Sequence, residues 1–228
     1  KGRTLKAPNT TPLALDLQRI LADIRDDGVT NVIMEVSSHA LRLHRVNSLK
    51  FHTTTFTNLS PEHLDFHKNT DDYREAKAVL FTENLHPDGK AVINTDDEHG
   101  RIIFERIPDR QRVSFGLSES VDVTAEEYSL SLDGTSFTLR TPDWKREIRS
   151  PLLGEHNLRN LIGAGATGYA LGLAPDHIGT GLQNVRRIPG RLEPIENNKG
   201  AQILVDYAHT PDGLQQVLST LADLPHRR

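Results

Sequence analysis

The sequence contains no cysteine at all. Disulfide bonds and thiolate metal sites are therefore excluded, and this composition fits a reducing compartment. The chain also has no apolar run near the 18 residues that a membrane-spanning helix needs, and residues 1–4 lead into no signal-peptide core. We therefore expect a cytoplasmic protein with no membrane insertion.

Runs of basic residues are missing too. The chain carries 27 Lys and Arg against 31 Asp and Glu, and its formal net charge is -4. No basic surface is available to release counterions from a phosphate backbone, so we expect no nucleic-acid partner. A small anionic ligand held by a few placed cations remains compatible with this charge.

The remaining composition is that of an ordinary globular chain. It has 228 residues, 36% of them hydrophobic and 25% charged, which is enough to bury a core. Apolar strand-like runs at 31–36, 53–57, 90–94 and 112–115 alternate with helical patterns, while 121–149 alternates with period two. We expect an α/β fold with a mostly parallel central sheet flanked by helices and a small antiparallel sheet.

The break at 194–200 separates two predicted domains. Residues 1–193 form the first, and 194–228 contribute the first strand and helix of a second, Rossmann-like domain. The chain begins without Met and ends directly after a helical pattern, which is typical of a piece of a longer protein.

Two features near the N-terminus have competing interpretations. Thr10 and Thr11, followed by Pro12, predict the cap of a helix whose apolar residues begin at Leu13. Glu35 stands near the end of the apolar run 31–36, where a buried parallel strand would deliver a polar group to a site. A surface-facing Glu at a strand end is the alternative.

The stretch from residue 56 to 67, with the helix predicted from 70 to 84, concentrates the polar chemistry. Lys77 falls on the same face as Tyr73 and Phe81, so its ammonium must snorkel, pair or be chemically modified. We interpret this stretch as a metal and phosphate centre. The rival is a zinc site in which His63 and His67 share a helix face beside Asp65.

Polar residues recur in the C-terminal third. Asn157 and Asn160 share one face at the start of a helix, where they can bind a ligand or cap the helix. Arg191 lies in a tight turn, and Asp206 ends the apolar run 201–206 as Glu35 ends its own.

These motifs together resemble the Mur ligases, and within that family the branch that adds the third residue of the peptidoglycan stem peptide. The resemblance covers nearly the whole chain. In chain order it rests on Asn9-Thr10-Thr11-Pro12, Glu35-Val36-Ser37-Ser38-His39, Phe56-Thr57-Asn58-Leu59-Ser60 with His63-Leu64-Asp65, Tyr73-x-x-Ala76-Lys77, His156-Asn157-x-x-Asn160, Gly190-Arg191-Leu192-Glu193 and Val205-Asp206-Tyr207-Ala208-His209-Thr210-Pro211.

The resemblance implies an ATP-dependent amide ligase of peptidoglycan biosynthesis, acting on UDP-N-acetylmuramoyl-L-alanyl-D-glutamate through an acyl phosphate. It implies two Mg²⁺ ions beside an N-carboxylated Lys77, one shared with ATP and held by Glu35 and a second held by His63, with ATP as cosubstrate. The implied substrate residues are Asn9, Thr10, Thr11, Ser37 and Arg45, and the implied ATP residues are Asn157, Asn160, Arg191 and Asp206. The incoming residue would be a diamino acid, meso-diaminopimelate or L-lysine, of which we expect meso-diaminopimelate, and we expect a monomer.

This sequence departs from the family pattern in two ways. Leu43 stands where some members place a polar substrate-binding side chain, and the Gly-rich phosphate loop expected before Asn9 does not occur. We therefore expect that the 228-residue chain alone does not turn over ATP at a useful rate. The alternatives are a non-catalytic remnant that binds nucleotide or muramoyl ligand, and a related ligase such as folylpolyglutamate or cyanophycin synthetase.

Overall fold

A computed structural model describes Thr4, residues 9–198, Ala201 and residues 203–223. Lys199 and Gly200, which belong to the predicted domain break, lie outside the described residues. The helices are α1 (Ala14–Asp26), α2 (Ser38–Arg42), α3 (Thr70–Thr82), α4 (Glu98–Phe104), α5 (Glu155–Ala170), α6 (Pro175–Asn184) and α7 (Pro211–Asp223). The strands are β1 (Phe51–Phe56), β2 (Leu85–Asn94), β3 (Arg112–Gly116), β4 (Val123–Ser131), β5 (Gly134–Arg140), β6 (Lys145–Ser150), β7 (Glu193–Ile195) and β8 (Ile203–Val205).

One six-stranded sheet organises the fold, with its strands in chain order from β1 to β6. The pairs from β1 to β4 are parallel, whereas β4, β5 and β6 form an antiparallel meander that continues the same sheet. A separate antiparallel pair, β7 and β8, precedes α7. The predicted α/β class, mostly parallel with a small antiparallel sheet, is confirmed.

The parallel strands are buried because helices cover both faces of the sheet. Successive side chains of β2 point to opposite faces, so Val92 joins the core under α5 and Ile93 joins the core under α3 and α4. Helix α5 packs across β1 to β5. The paired register of Phe56 with Ile93, and of Ile93 with Ser114, brings the carboxyl ends of these strands to one edge.

The strand predicted at 31–36 does not form. The segment has no regular secondary structure and pairs with no strand among the described residues. Met34 and Val36 pack against a small core formed by Leu17, Leu41 and Val46. Ile33 is 100% exposed as a result. The prediction was wrong because apolar composition supplies side chains for burial but no neighbouring strand, and a strand needs backbone partners.

The cap predicted for the first helix, α1, also differs from the structure. Helix α1 begins only at Ala14 after Leu13, with no side-chain cap, because the Thr11 hydroxyl is engaged elsewhere. Helix α3 is capped by Asn69, whose side chain accepts the Asp72 N–H at 2.8 Å. No helix of the described part is long and apolar enough to cross a membrane.

Candidate functional site

Tyr73 is the centre of the first group of candidate residues. It belongs to α3 and is 6% exposed, at the edge where β1 ends. Lys77, one turn later, places its Nζ 5.1 Å from the centre of the Tyr73 ring. The His63 ring meets the same ring edge to face, with centroids 5.8 Å apart. The structure therefore places Lys77 and His63, both predicted site residues, against the same Tyr73 ring.

Lys77 is half-buried, and its burial lowers the pKa of its amine. The carboxylates of Glu35 and Glu62 oppose this shift, so both lie near enough to act on it. A lower pKa raises the fraction of neutral amine, which is the nucleophilic form. Glu62 was not predicted from the sequence, because only the turn after β1 carries it back toward α3.

The side chains near Lys77 offer more oxygen than nitrogen donors, a composition that suits a hard divalent cation better than zinc. They comprise the carboxylates of Glu35 and Glu62 and the imidazole of His63, and Mg²⁺ prefers oxygen ligands while keeping several waters. Within the described residues no group of three His, Asp or Glu side chains is close enough to hold a metal. A carboxylated Lys77 would add the oxygens that a complete set needs.

The zinc alternative is not supported by this geometry. His63 is exposed and has a left-handed backbone, with φ of 59°, whereas His67 is 1% exposed. The Nε2 of His67 lies 3.0 Å from the Ser38 hydroxyl. The two histidines therefore do not form one open helical face.

Thr11 organises the second group of candidates. Its hydroxyl donates to the Glu35 carbonyl and accepts the Ser37 N–H, both at 3.0 Å, and its side chain is 1% exposed. Arg45 donates from Nη1 to the Thr11 carbonyl at 2.9 Å. Thr11, Ser37 and Arg45, all predicted substrate residues, thus form one hydrogen-bonded network. Within the described chain, the buried Arg45 Nε–H of this network has no acceptor.

The other predicted substrate residues lie beside this network. Asn9 and Thr10 are exposed in the bend before Thr11. Ser37 caps α2 by accepting the Ala40 N–H at 3.2 Å. Leu43 is 52% exposed at the end of that helix.

His39 joins the two groups. Its ring lies 5.0 Å from that of His63, and its pKa is lowered first by burial and then by the neighbouring His63. Asp65 opposes that shift and Arg45 adds to it. The predicted metal residues and the predicted substrate residues therefore adjoin, and His39, which was not predicted, lies between them.

The third group surrounds the start of α5. Asn157 is fully buried and donates from Nδ2 to the Leu153 carbonyl at 2.8 Å, while its Oδ1 has no partner in the described chain. Asn160 is exposed. The two asparagines therefore do not present one common face to a ligand, contrary to the prediction, because one side chain is buried and the other is exposed.

Arg191 and Asp206 lie near the same helix start. Both act electrostatically on His156, whose pKa is lowered mainly by burial. The carboxylate of Asp206 accepts the N–H groups of Leu192 and Ala208, each at 2.8 Å. The predicted ATP residues are thus clustered, apart from the outward-facing Asn160.

A salt bridge connects this helix to the sheet edge. The Nη1 of Arg159, in the second turn of α5, lies 3.0 Å from the Oδ2 of Asp96, two residues after β2 ends. The start of α5 therefore lies beside the carboxyl end of β2.

Comparisons with known proteins match two consecutive parts of the chain to two domain models. A model of the Mur ligase middle domain matches residues 1–168, and a model of the Mur ligase glutamate ligase domain matches residues 190–228. A UDP-N-acetylmuramoyl-L-alanyl-D-glutamate–2,6-diaminopimelate ligase from Geobacter metallireducens is 47% identical over 228 residues, covering 97% of this chain and 44% of the relative. Its namesake from Bacillus velezensis is 39% identical, covering 97% of this chain and 46% of the relative.

Solved structures agree with these relatives. A ligase of the same name has a TM-score of 0.82 at 34% identity, covering 97% of this chain and 46% of the other. MurF from Acinetobacter baumannii has a TM-score of 0.71 at 28% identity, covering 78% of this chain and 39% of the other.

The chain spans about half the length of the curated relatives it matches. The names of these relatives confirm the predicted kinship with the branch that adds the third stem-peptide residue, MurE. With the middle-domain model matching most of the sequence, the chain belongs to the Mur ligase family.

Proposed function

We propose that this chain forms the central part of an ATP-dependent amide ligase that adds meso-diaminopimelate to UDP-N-acetylmuramoyl-L-alanyl-D-glutamate. One observation carries the proposal: half-buried Lys77, with Glu35 and Glu62 near it, adjoins the network of Thr11, Ser37 and Arg45 through His39. The relatives' names supply the substrates. Residues 1–193 correspond to the central domain and 194–228 to the start of the C-terminal domain.

The network of Thr11, Ser37 and Arg45 would bind the muramoyl dipeptide. Arg45 has an unpartnered buried Nε within the described residues, and a guanidinium is suited to a carboxylate. Asn9 and Thr10 are exposed on the approach to this network. The D-glutamate carboxylate that reacts would thus be held beside the metal residues, which is the positioning that an acyl transfer needs.

Lys77 would act as a carbamate. Its neutral amine attacks CO₂, forms a C–N bond and loses a proton, so a half-buried cation becomes an anion with two oxygens. Glu35, His63 and this carbamate would hold Mg²⁺, which stabilises negative charge on phosphate oxygens. His63 is exposed and remains available for such a role.

The cluster at the start of α5 would bind ATP. Asn157 offers a buried Oδ1 without a partner in the described chain, and Asn160 is exposed on the same helix. Arg191 would bind a phosphate, and Asp206 would accept ribose hydroxyls. The substrate carboxylate would then attack the γ-phosphorus of ATP, the bond to the β,γ-bridging oxygen would break, and ADP would leave. The amine of diaminopimelate would attack the carbonyl carbon of the acyl phosphate, lose a proton and displace phosphate.

Binding of UDP-N-acetylmuramoyl-L-alanyl-D-glutamate with Mg²⁺, measured by calorimetry on this chain, tests the proposal. We expect binding that Arg45→Ala weakens at least about tenfold, because a charged hydrogen bond contributes roughly 1.5–3 kcal/mol. Arg101→Ala, an exposed arginine of α4, is the matched control.

Equal affinity of the two variants would remove Arg45 from the site. Absence of binding by the unsubstituted chain would contradict the proposed substrate. Phosphate release from ATP by this chain, dependent on the dipeptide substrate, would contradict the expectation that the chain alone does not turn over ATP.

A further inference from the structure

A chain of polar contacts, buried at His67 and Ser38, connects three elements of the first site. The Nε2 of His67 lies 3.0 Å from the Ser38 hydroxyl of α2, within hydrogen-bond distance. Its Nδ1 lies 3.5 Å from Asp72 Oδ2 of α3 but has no hydrogen-bond partner in the described chain. The other Asp72 oxygen accepts a hydrogen bond from Arg42, the last residue of α2. His67 is 1% exposed and Ser38 is 2% exposed. None of these residues has a place in the proposed reaction.

The order serine, histidine, carboxylate is that of a hydrolase triad, but the burial excludes a nucleophile. The Ser38 side chain is enclosed in the first turn of α2, so an acyl group has no access to its oxygen. The same geometry is well suited to fixing one segment against another, because each buried polar group would lose free energy if its partner moved away.

Each end of this contact leads directly to a candidate site residue. The backbone N–H of His67 donates to the His63 carbonyl at 2.9 Å, so it closes the turn that presents His63. Ser38 follows Ser37, whose N–H is held by the Thr11 hydroxyl. The hydrogen bond between His67 and Ser38 therefore joins the His63 turn to the network of Thr11.

We propose that His67 is a positioning residue that, through Ser38, sets the distance between the metal residues and the muramoyl-dipeptide residues. The inference rests on the proposed function for the identity of the two ligands. It does not rest on that function for the mechanical connection, which the chain has without any ligand.

A packing role and a positioning role make different demands on the side chain. The His67 ring stacks on Tyr73 with centroids 5.0 Å apart, and a phenyl ring would keep that contact. A phenyl ring cannot bond to Ser38. His67→Phe therefore separates the hydrogen bond from the packing, and Ser38→Ala removes the same hydrogen bond from the other side.

The first measurement needs no ligand. Amide hydrogen exchange of His67, which reports the turn around His63, should become about two- to tenfold faster in Ser38→Ala, because one buried hydrogen bond is lost. Ser150→Ala is the matched control, since Ser150 is 4% exposed and accepts one backbone N–H far along the chain in β6. Unchanged exchange in Ser38→Ala would overturn the proposal.

The second measurement is the affinity for UDP-N-acetylmuramoyl-L-alanyl-D-glutamate with and without Mg²⁺. In the unsubstituted chain Mg²⁺ should increase this affinity. The ratio of the affinities with and without Mg²⁺ should be about tenfold smaller in Ser38→Ala and in His67→Phe than in the unsubstituted chain. The double variant should lose no more than either single variant, because both substitutions remove one interaction. His67→Gln, which can still donate to Ser38, should recover part of the increase.

The outcomes separate this inference from the proposed function. Dipeptide binding that both variants leave unchanged would overturn the positioning role and keep the function. Faster exchange in Ser38→Ala, in a chain that binds no dipeptide, would support the mechanical connection and overturn the function. If His67→Phe fails to fold, Ser38→Ala decides alone, because it removes a single oxygen.

Discussion

Replacing Thr11 by Val removes one hydroxyl at the point where three segments meet. The hydroxyl donates to the Glu35 carbonyl and accepts the Ser37 N–H, both at 3.0 Å. Valine matches the shape but leaves both backbone groups without a partner. An unsatisfied buried group costs about 1–3 kcal/mol, and the exposure of Glu35 and partial exposure of Ser37 place each loss near the lower end. We expect a total loss of about 2 kcal/mol in the free energy of unfolding.

Urea unfolding measures this loss. With a slope of about 2 kcal/mol per molar urea, the midpoint should fall by about 1 M while the slope stays constant. Thr11→Ser keeps the hydroxyl and should lose less than about 1 kcal/mol, the value of one methyl group. Thr10→Val, at the exposed neighbouring position, should change stability by less than about 0.5 kcal/mol. The account of this network would be refuted if Thr11→Val unfolded at the same urea concentration as the unsubstituted chain, or if Thr11→Ser were equally damaging.

Two further predictions concern packing and pH. Gly100→Ala should cost about 3 kcal/mol in the free energy of unfolding, because the new Cβ would lie 2.0 Å from the Asn94 carbonyl oxygen. In Gly181→Ala, the control, the new Cβ meets nothing within 4 Å, and the change should be neutral or stabilising by up to about 1 kcal/mol. Equal midpoints of the two variants in thermal unfolding would contradict this prediction. The hydrogen bonds from Arg106 lower the pKa of Glu75 to about 2 from its ordinary 4.5, so the stabilisation is present above pH 4.5 and is lost as pH falls toward 2. Because this pair is solvent-exposed, Arg106→Gln should cost less than about 1 kcal/mol at pH 7 and nothing near pH 2, and a cost that persisted at low pH would exclude the ion pair as its cause.

The parallel part of the sheet could be predicted from sequence because its strands carry their own signal. The run Ala91–Ile93 is buried on both faces and therefore reads as continuously apolar. The run at 31–36 has the same composition but no strand beside it in the described chain. The composition of a segment indicates whether its side chains can be buried. Whether another strand lies beside it to form hydrogen bonds depends on the whole fold.

The candidate site shows a similar division. Lys77 could be singled out because a cation on the apolar face of a helix is a local contradiction. Glu62 and His39 gave no such signal, since each is an ordinary polar residue whose position depends on how the turn after β1 folds back over α2 and α3. Thr11 was misread as a cap for the same reason: its partners, Glu35 and Ser37, are more than 20 residues away in sequence.

The most direct test of the proposed site is the carbon-13 NMR spectrum of the chain equilibrated with ¹³C-bicarbonate. A carbamate on Lys77 should give one resonance that survives in Lys145→Ala, an exposed lysine of β6, and disappears in Lys77→Ala. We expect this pattern because burial lowers the pKa of Lys77 and so favours its neutral amine, which reacts with CO₂. The neighbouring carboxylates of Glu35 and Glu62 could bind a metal cation together with the carbamate. A spectrum without a carbamate resonance, or one that persists in Lys77→Ala, would contradict it.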